Sequence, residues 1–243
     1  MAPLSAAQLF ALWEPSSSAP AHRRLEPLVA ALFPGEAIER DTLGARNRRL
    51  LALHAELSDA PIEARLRCPQ CGTDNAFEVP AADILDCPVP DPGTRVGIRS
   101  GNRRLSFRLP CMADLAAAAG AADDALGLIV ARCRIGGGGP VSAAAVERLS
   151  ARFEALDPAA RIVVDIGCAE CRSPLRASVD LAEFLAAGVE RLVGQLQREI
   201  HVVAGAYGWT ESAILALPPE RRRRYVAMIA AQPAQPAARA RRA

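Results

Sequence analysis

The sequence feature that most constrains the fold is a pair of cysteines that occurs twice, at an offset of 100 positions. Cys68-Pro-Gln-Cys71 and Cys168-Ala-Glu-Cys171 each follow a stretch in which apolar and polar residues alternate, as in a half-buried strand. A second such stretch follows each pair and ends at Val79 in the first copy and at Val179 in the second. The sequence therefore predicts two strand–CxxC–strand units that lie far apart along the chain.

Together the two units offer the four ligands of a structural zinc ion. A CxxC turn at the tip of a hairpin directs two sulfurs at one point, which is half of a tetrahedral Zn–S4 site. We therefore predict a zinc-ribbon-like site whose ligands are Cys68, Cys71, Cys168 and Cys171. The long separation does not exclude it, because the entropic cost of closing a loop rises by only about 0.6 kcal/mol per doubling of its length. Four thiolates leave no position open for water, so we do not expect catalysis at the zinc.

The competing interpretation of a CxxC pair is a dithiol redox centre. Such centres place the motif at a helix N-terminus after a buried strand, and they do not require a second copy. The remaining cysteines, Cys87, Cys111 and Cys133, are expected to be isolated thiols that are buried or half-buried. The total of seven cysteines is odd, which also argues against a fully paired disulfide framework.

An inserted hairpin is predicted between the cysteine pairs, over residues 95–99 and 103–109. Its alternation places apolar side chains on one face and arginines on the other. The apolar residues are Val96, Ile98, Leu105, Phe107 and Leu109, and the arginines are Arg95, Arg99, Arg104 and Arg108. Helices are predicted to follow at 111–119, 123–134 and 141–156, with the glycine run 136–139 as a flexible joint. Pro110 and Asp114 are ordinary start signals for the first of these helices.

Helices are expected to make up most of this α+β chain. Hydrophobic residues form 51% of it but aromatic residues only 4%, which favours helices packed through small side chains. Helices are predicted over 22–33, from a cap at Asp41 or Thr42 to Leu57, and from Leu181 to Tyr207. The predicted segments are 1–40, helical; 41–90, a helix and the first CxxC knuckle; 91–160, the hairpin and helices; 161–180, the second knuckle; 181–231, helices; and 232–243, a disordered tail.

No catalytic motif is present. The sequence has three histidines and no lysine, which excludes a Schiff-base lysine and a phosphate-loop lysine. It contains no nucleophile elbow, zinc-protease helix, dinucleotide-binding loop or P-loop. His201, in the long helix, is expected to be hydrogen-bonded at a helix interface. We therefore do not expect an enzyme.

Charge and hydropathy say less about function than the cysteine pairs do. The net charge of +2 is too small to imply a polyanionic partner by itself. The first residues lack the basic region of a secretion signal, and no uninterrupted apolar stretch is long enough to span a bilayer. We expect a soluble, cytoplasmic protein.

The C-terminal run 199–225 combines rare aromatic residues with four consecutive arginines. Arg221–Arg224 fall in the first turn of a predicted helix, where the helix dipole disfavours cations. One interpretation is a solvated helix face, and the other is a surface that binds a partner. The residues of the predicted partner surface are His201, Tyr207, Trp209, Arg221, Arg222, Arg223, Arg224 and Tyr225.

This run resembles the baseplate hub assembly chaperones of T4-type phages, which are also encoded in gene clusters for contractile injection systems. The matching residues, in order, are Glu199, Ile200, His201, Tyr207, Gly208, Trp209, Glu211, Ile214, Leu215, Leu217, Arg221, Arg222 and Tyr225. The stretch 107–115 resembles the step after a hairpin in that group, although Cys111 stands where a hydroxyl residue is more usual. The cysteine pairs fit the zinc-bearing members, and the resemblance covers residues 41–231.

The resemblance implies a non-enzymatic factor that helps to assemble the baseplate hub of a contractile tail or of a tail-like injection machine. Its partners would be hub or spike subunits. Whether the factor stays in the finished particle is not implied.

Two other functions remain open from the residues. In a zinc-ribbon nucleic-acid binder, the arginine face of the hairpin and the C-terminal arginines would contact phosphates, although the charge is nearly balanced and aromatic residues for base stacking are few. In a thiol redox protein, a cysteine pair would cycle with a reductant and no zinc would bind.

Overall fold

The computed structural model describes residues 4–91, 93–121, 124–137 and 139–231. Over these ranges the chain is an α+β protein in which helices predominate and the strands form small antiparallel sheets, which confirms the predicted fold class. The predicted disordered tail lies outside the described residues, as do parts of the glycine run and of the helix start at 123.

The described elements follow one another in this order. The helices are α1 (Ala6–Trp13), α2 (Ala21–Arg24), α3 (Glu26–Leu32), α4 (Leu43–Leu57), α5 (Ala81–Asp86), α6 (Met112–Ala118), α7 (Ala125–Cys133), α8 (Ala143–Leu156), α9 (Leu181–Tyr207), α10 (Glu211–Leu215) and α11 (Pro219–Ala230). The strands are β1 (Glu63–Arg67), β2 (Asp74–Glu78), β3 (Arg95–Ser100), β4 (Arg103–Arg108), β5 (Arg134–Ile135), β6 (Ile162–Gly167) and β7 (Pro174–Val179).

The chain divides into two compact units. The first unit runs from Val29 to Phe184. The second unit consists of two segments, the residues up to Leu28 and the residues from Leu185 onward. The first unit contains both cysteine pairs and the hairpin. The second contains the C-terminal aromatic residues and arginines.

Both strand–CxxC–strand units form as predicted. In the first, β1 pairs with β2 so that Leu66 lies opposite Asn75; in the second, β6 pairs with β7 so that Ile166 lies opposite Leu175. Each hairpin therefore ends at its CxxC turn.

The inserted hairpin also has the predicted faces. β3 pairs with β4, and all five predicted apolar residues are buried, Phe107 with none of its surface exposed. They pack against Val130 and Cys133 of α7 and against Ala145 and Leu149 of α8. The sequence did not predict β5, a two-residue strand that pairs with β4, because two residues carry no periodicity.

The helix predicted over 22–33 is wrong as a single element. It is divided into α2 and α3, with Leu25 between them. Pro27 explains the division, because proline lacks the N–H that a continuous helix would require at that position. In the first turn of a new helix the missing N–H costs nothing.

A buried contact attaches α4 to the chain just before the second knuckle. Thr42 caps α4, as predicted, by accepting a hydrogen bond from the Ala45 N–H. The Gly44 N–H donates to Asp157 Oδ2 over 2.9 Å, and the Asn47 side chain donates to the Ala159 carbonyl over 2.8 Å. Asp157 is 3% exposed, so its negative charge at the helix N-terminus is shielded from water.

Gly44→Ala should destabilise the protein. A methyl group at this position would overlap the Asp157 carboxylate and would displace it from the helix N-terminus. We expect the free energy of unfolding to fall by about 2 kcal/mol or more, measured by urea denaturation. Gly205→Ala in α9 is the control, because a methyl there meets nothing within 4 Å; it should raise stability by about 0.5 kcal/mol. Equal effects would show that the Asp157 contact is unimportant.

Candidate functional site

The four cysteines predicted as ligands converge in the first unit. The sulfurs of Cys68, Cys71, Cys168 and Cys171 all lie within 4.8 Å of one another. Cys68 and Cys168 are buried, at 1% and 2% exposure, whereas the second cysteine of each pair is exposed. Each knuckle thus presents one inner and one outer sulfur.

The spacing of the sulfurs fits a tetrahedral metal centre. The Cys68 and Cys171 sulfurs are 3.7 Å apart, and the Cys71 and Cys168 sulfurs are 3.5 Å apart. In a regular tetrahedron with metal–sulfur bonds of about 2.3 Å, the sulfurs lie about 3.8 Å apart. A disulfide would require about 2.05 Å, and all four thiols are free. The four cysteines can therefore hold a metal ion such as zinc.

Backbone hydrogen bonds form the same turn in both knuckles. The Cys68 N–H donates to the Thr73 carbonyl over 2.8 Å, and the Cys168 N–H donates to the Ser173 carbonyl over 2.9 Å. The residue after each pair closes the turn by donating back to the first cysteine, and it has a positive φ: 77° at Gly72 and 59° at Arg172. Glycine adopts this conformation without strain, whereas arginine does not. The second knuckle is therefore the more strained one.

Hydroxyl side chains lie beside the sulfurs. Ser173 Oγ is 3.5 Å from the Cys68 sulfur and 3.1 Å from the Cys171 sulfur, and Thr73 Oγ1 is 3.4 Å from the Cys71 sulfur. The Ser173 hydroxyl is the main cause that lowers the pKa of Cys68 to about 6, and the Thr73 hydroxyl lowers the pKa of Cys71. Both changes favour the thiolate, which is the form that binds a metal ion. At Cys171 the Ser173 hydroxyl also lowers the pKa, but burial and the Cys71 and Cys168 thiols raise this pKa overall.

Asn75 joins the two knuckles, and the sequence analysis missed it. Its amide nitrogen donates to the Leu66 and Thr73 carbonyls over 3.3 and 3.0 Å within the first knuckle. Its amide oxygen accepts a 2.8 Å hydrogen bond from the Ala169 N–H, inside the second CxxC turn. The side chain is buried, at 5% exposure, so these bonds do not compete with water. A polar residue at an inward position of a half-buried strand was the signal in the sequence.

An apolar layer lies beneath the sulfurs. Leu175 packs with Cys68 and Cys168, and Leu66 and Ile166 pack against this cluster. Leu175 is the counterpart of Asn75 in the second knuckle. At this position the first knuckle therefore has a hydrogen-bonding side chain, and the second has an apolar one. Four sulfurs above an apolar layer suit a closed, structural site, because no coordination position remains for a substrate.

Metal analysis of the purified protein should find about one metal ion per chain. Replacing both outer ligands, as Cys71→Ser with Cys171→Ser, should abolish metal binding and lower the free energy of unfolding by about 4 kcal/mol or more, since the ion binds only the folded chain. Cys87→Ser is the matched control and should retain the metal, because its sulfur bonds only the Asp83 carbonyl over 3.2 Å. Full metal content in the double variant would disprove the site.

A second buried cluster surrounds Asp114. Asp114 caps the start of α6, as predicted, but its side chain is also fully buried, which the sequence analysis did not predict. Its carboxylate accepts two hydrogen bonds from Arg108, over 2.6 and 2.8 Å, and one from Arg132 over 3.0 Å. The Cys111 N–H also donates to it, over 3.0 Å. The carboxylate thus ties α6 to β4 and to the end of α7.

Cys111 and Cys133 are free thiols, one half-buried and one buried, as expected, and both lie beside Asp114. The Cys111 sulfur lies 3.3 Å and the Cys133 sulfur 3.7 Å from Asp114 Oδ2. Burial and the Asp114 charge raise the pKa of Cys133 to about 12, so this thiol stays protonated at neutral pH. A protonated, buried thiol is a poor nucleophile, and we assign the cluster a structural role.

Asp114→Asn should destabilise the protein at neutral pH. Burial alone would raise the pKa of Asp114, but the Arg108 guanidinium and the Cys111 N–H hold it below the ordinary carboxyl value of 3.8. A lowered pKa in the folded state means that the stabilisation is complete at neutral pH and is lost as the pH falls below about 4. We expect a loss of about 2–3 kcal/mol at pH 7, since both guanidiniums are partly solvated, and a smaller loss at pH 3.

Urea denaturation at the two pH values measures this difference. Asp165→Asn is the control, because its 3.8 Å pair with Arg176 is exposed on both sides and should contribute less than about 1 kcal/mol. A loss for Asp114→Asn that does not depend on pH would contradict the assignment.

The second unit presents a cluster of aromatic rings. The ring centroids of Tyr207, Trp209 and Tyr225 lie 5.1 to 5.7 Å apart. Gly208, with a φ of 68°, ends α9 as predicted and turns the chain so that Trp209 lies against Tyr207. Tyr207 is 36% and Trp209 37% exposed. The three rings contact one another and still face solvent.

One face of α11 extends this cluster. The spacing of Arg221, Arg224, Tyr225 and Met228 places them on the same side of the helix. The Arg221 guanidinium lies 5.9 Å from the Tyr225 ring centroid, and Met228 is 56% exposed. We call these four residues together with Tyr207 and Trp209 the aromatic–arginine surface.

The structure removes Arg222 from the predicted partner surface. Arg222 is 3% exposed, because its guanidinium donates to Glu199 over 2.6 Å and to the Leu217 carbonyl over 3.1 Å. It therefore holds α11 against α9 and is not available to a partner. Arg223 is exposed but lies on another side of α11. His201 is exposed, and not packed at a helix interface as expected.

Comparison of the chain with protein-family models, with curated proteins and with solved structures finds no match. The resemblance to baseplate hub assembly chaperones therefore stays a prediction from the C-terminal motif. Among the described residues, no helix is long and apolar enough to cross a membrane.

Proposed function

We propose that the protein is a non-enzymatic assembly factor that binds its partner through the aromatic–arginine surface. The observation that carries this proposal is the exposure of Tyr207 and Trp209, which pack with the half-buried Tyr225 beside cations of α11. In the part of the chain that the structure describes, Arg221 and Arg224 form no ion pair with an acidic residue. Aromatic and arginine side chains with exposed surface are the residues that contribute most to protein interfaces.

The partner surface should be acidic with apolar positions. Arg221 lies in the first turn of α11, where the helix dipole opposes positive charge, so folding alone does not favour it, and Arg224 follows it on the same side of the helix. Carboxylates of a partner would offset this unfavourable placement. Trp209 and Met228 would fill apolar depressions between those carboxylates.

The proposed partner is a hub or spike subunit of a contractile tail or tail-like injection machine, and the proposed site of action is the cytoplasm. This identity rests on the resemblance of the C-terminal motif. Two residues of that motif, Glu199 and Arg222, form a buried ion pair, so they have a structural role in this chain. Glu199 and Arg222 fix α11, and the remaining aromatic residues of the motif form the surface. The factor would cover the partner's docking surface until the hub is assembled.

The metal in the four-cysteine site is proposed to be zinc. Four thiolates in a tetrahedron suit zinc or iron. Zinc has no redox chemistry, which agrees with a site that only stabilises the unit around it. Iron in the purified protein, seen as visible absorbance and by elemental analysis, would contradict this part of the proposal.

Co-purification from the native producer, with identification of partners by mass spectrometry, tests the function. Baseplate hub or spike subunits should co-purify with the tagged wild-type protein. Trp209→Ala and Arg224→Gln should each reduce their recovery about tenfold. Thermal stability should be unchanged in Arg224→Gln, whose side chain is exposed, and slightly lower in Trp209→Ala, which loses its contacts with the Tyr207 and Tyr225 rings. Arg223→Gln is the matched control, since it removes the same charge from another side of the same helix.

Two results would contradict the proposal. Recovery of nucleic acid without any tail component would favour the zinc-ribbon nucleic-acid binder. Equal losses in Arg224→Gln and Arg223→Gln would show that net charge, and not the aromatic–arginine surface, determines binding.

A further inference from the structure

The solvent face of the inserted hairpin carries an arginine ladder that the proposed function does not use. The register places Arg95 opposite Arg108 and Arg99 opposite Arg104. Gly97 lies opposite Ser106 between these two pairs. The opposite face of the same strands is buried in the core, so the ladder faces outward. No acidic residue occurs in either strand.

Folding of the chain does not account for this arrangement. Like charges directly opposite each other in an antiparallel pair are destabilising. Asp114 neutralises Arg108, but within the described ranges Arg95, Arg99 and Arg104 have no acidic partner. All three are exposed. Arg148 of α8 is also exposed, and its guanidinium donates to the Arg99 carbonyl over 2.7 Å.

We propose that this ladder is a docking surface for an extended acidic segment of another protein. Arg95 and Arg99 are four residues apart on one strand, which corresponds to about 13 Å. Carboxylates four residues apart in an extended peptide have the same spacing. Gly97 has no side chain, and Arg104 Nε lies 3.8 Å from the position that a Cβ atom would take there, so the Arg104 side chain reaches the middle of the ladder.

The geometry favours carboxylates over nucleic acid. Phosphates follow one another by about 3.4 Å of rise along each strand of a duplex, whereas Arg95 and Arg99 are about 13 Å apart along their strand. The ladder also presents no aromatic ring on which a base could stack. Arginine pairs with carboxylates through two parallel hydrogen bonds, which suits a row of separated acidic side chains.

Fluorescence anisotropy with the full-length, metal-loaded protein tests the proposal. The probe is a labelled serine peptide in which glutamate recurs at every fourth position, measured at low ionic strength because exposed charge pairs are screened by salt. A peptide with glutamine in place of glutamate and a single-stranded oligothymidine are the comparison probes. The glutamate peptide should bind, and the glutamine peptide should not.

Arg99→Gln with Arg104→Gln should weaken binding of the glutamate peptide about tenfold. The melting temperature of this double variant should be unchanged or about 1–3 °C higher, because the variant removes a like-charge pair. Arg191→Gln with Arg198→Gln is the matched control. It removes the same charge from exposed positions of α9 and should leave binding unchanged.

Three results would overturn the inference. Equal weakening in both double variants would mean that the peptide senses net charge alone. Tighter binding of oligothymidine than of the glutamate peptide would assign the ladder to nucleic acid. A large fall in melting temperature for the ladder variant would show that folding requires these arginines. None of these results depends on the aromatic–arginine surface. The experiment can therefore disprove the peptide-docking role of the ladder without disproving the proposed assembly function.

Discussion

The convergence of four sulfurs from two distant turns is the constraint on which the first unit depends. Neither knuckle hairpin has a core of its own, because each pairs only two short strands. Two-stranded hairpins of this size are marginally stable in water. The cluster of Cys68, Cys71, Cys168 and Cys171, with Asn75 across it, replaces the missing core. The inserted hairpin and its helices are thereby closed into a loop whose ends are fixed.

The sequence predicted the parts of this fold that repeat or alternate. The two cysteine pairs, the alternating strands around them and the apolar face of the hairpin all have a period, and the structure contains each of them. The long stripe of α9 and its stop at Gly208 were predicted for the same reason. Periodic patterns can be read from one sequence because each position is supported by its neighbours.

What the sequence could not provide were single polar residues whose partners come from elsewhere in the chain. Asp114 satisfies the local rule for a helix start, yet its burial follows from Arg108 and Arg132, which reach it from other elements. Asn75 seemed an ordinary strand residue because its acceptor role depends on the second knuckle. Arg222 belonged to an unbroken arginine run, and only the position of Glu199 shows that it points inward. Such contacts are set by tertiary structure, and the local sequence does not identify the partner of any of these three residues.

The separation of the cysteine pairs along the chain has a consequence for synthesis on the ribosome. Chains are made at about 5–20 residues per second, so the Cys68 pair waits about 5–20 s before the Cys168 pair is made. During that interval Asn75 has no Ala169 N–H to bind, and the first pair can hold a metal ion through only two sulfurs. The inserted hairpin and α8 are complete before the second pair appears, because they precede it in the chain. The four-sulfur site of the first unit can therefore be completed only after the inserted hairpin and α8 have been synthesised.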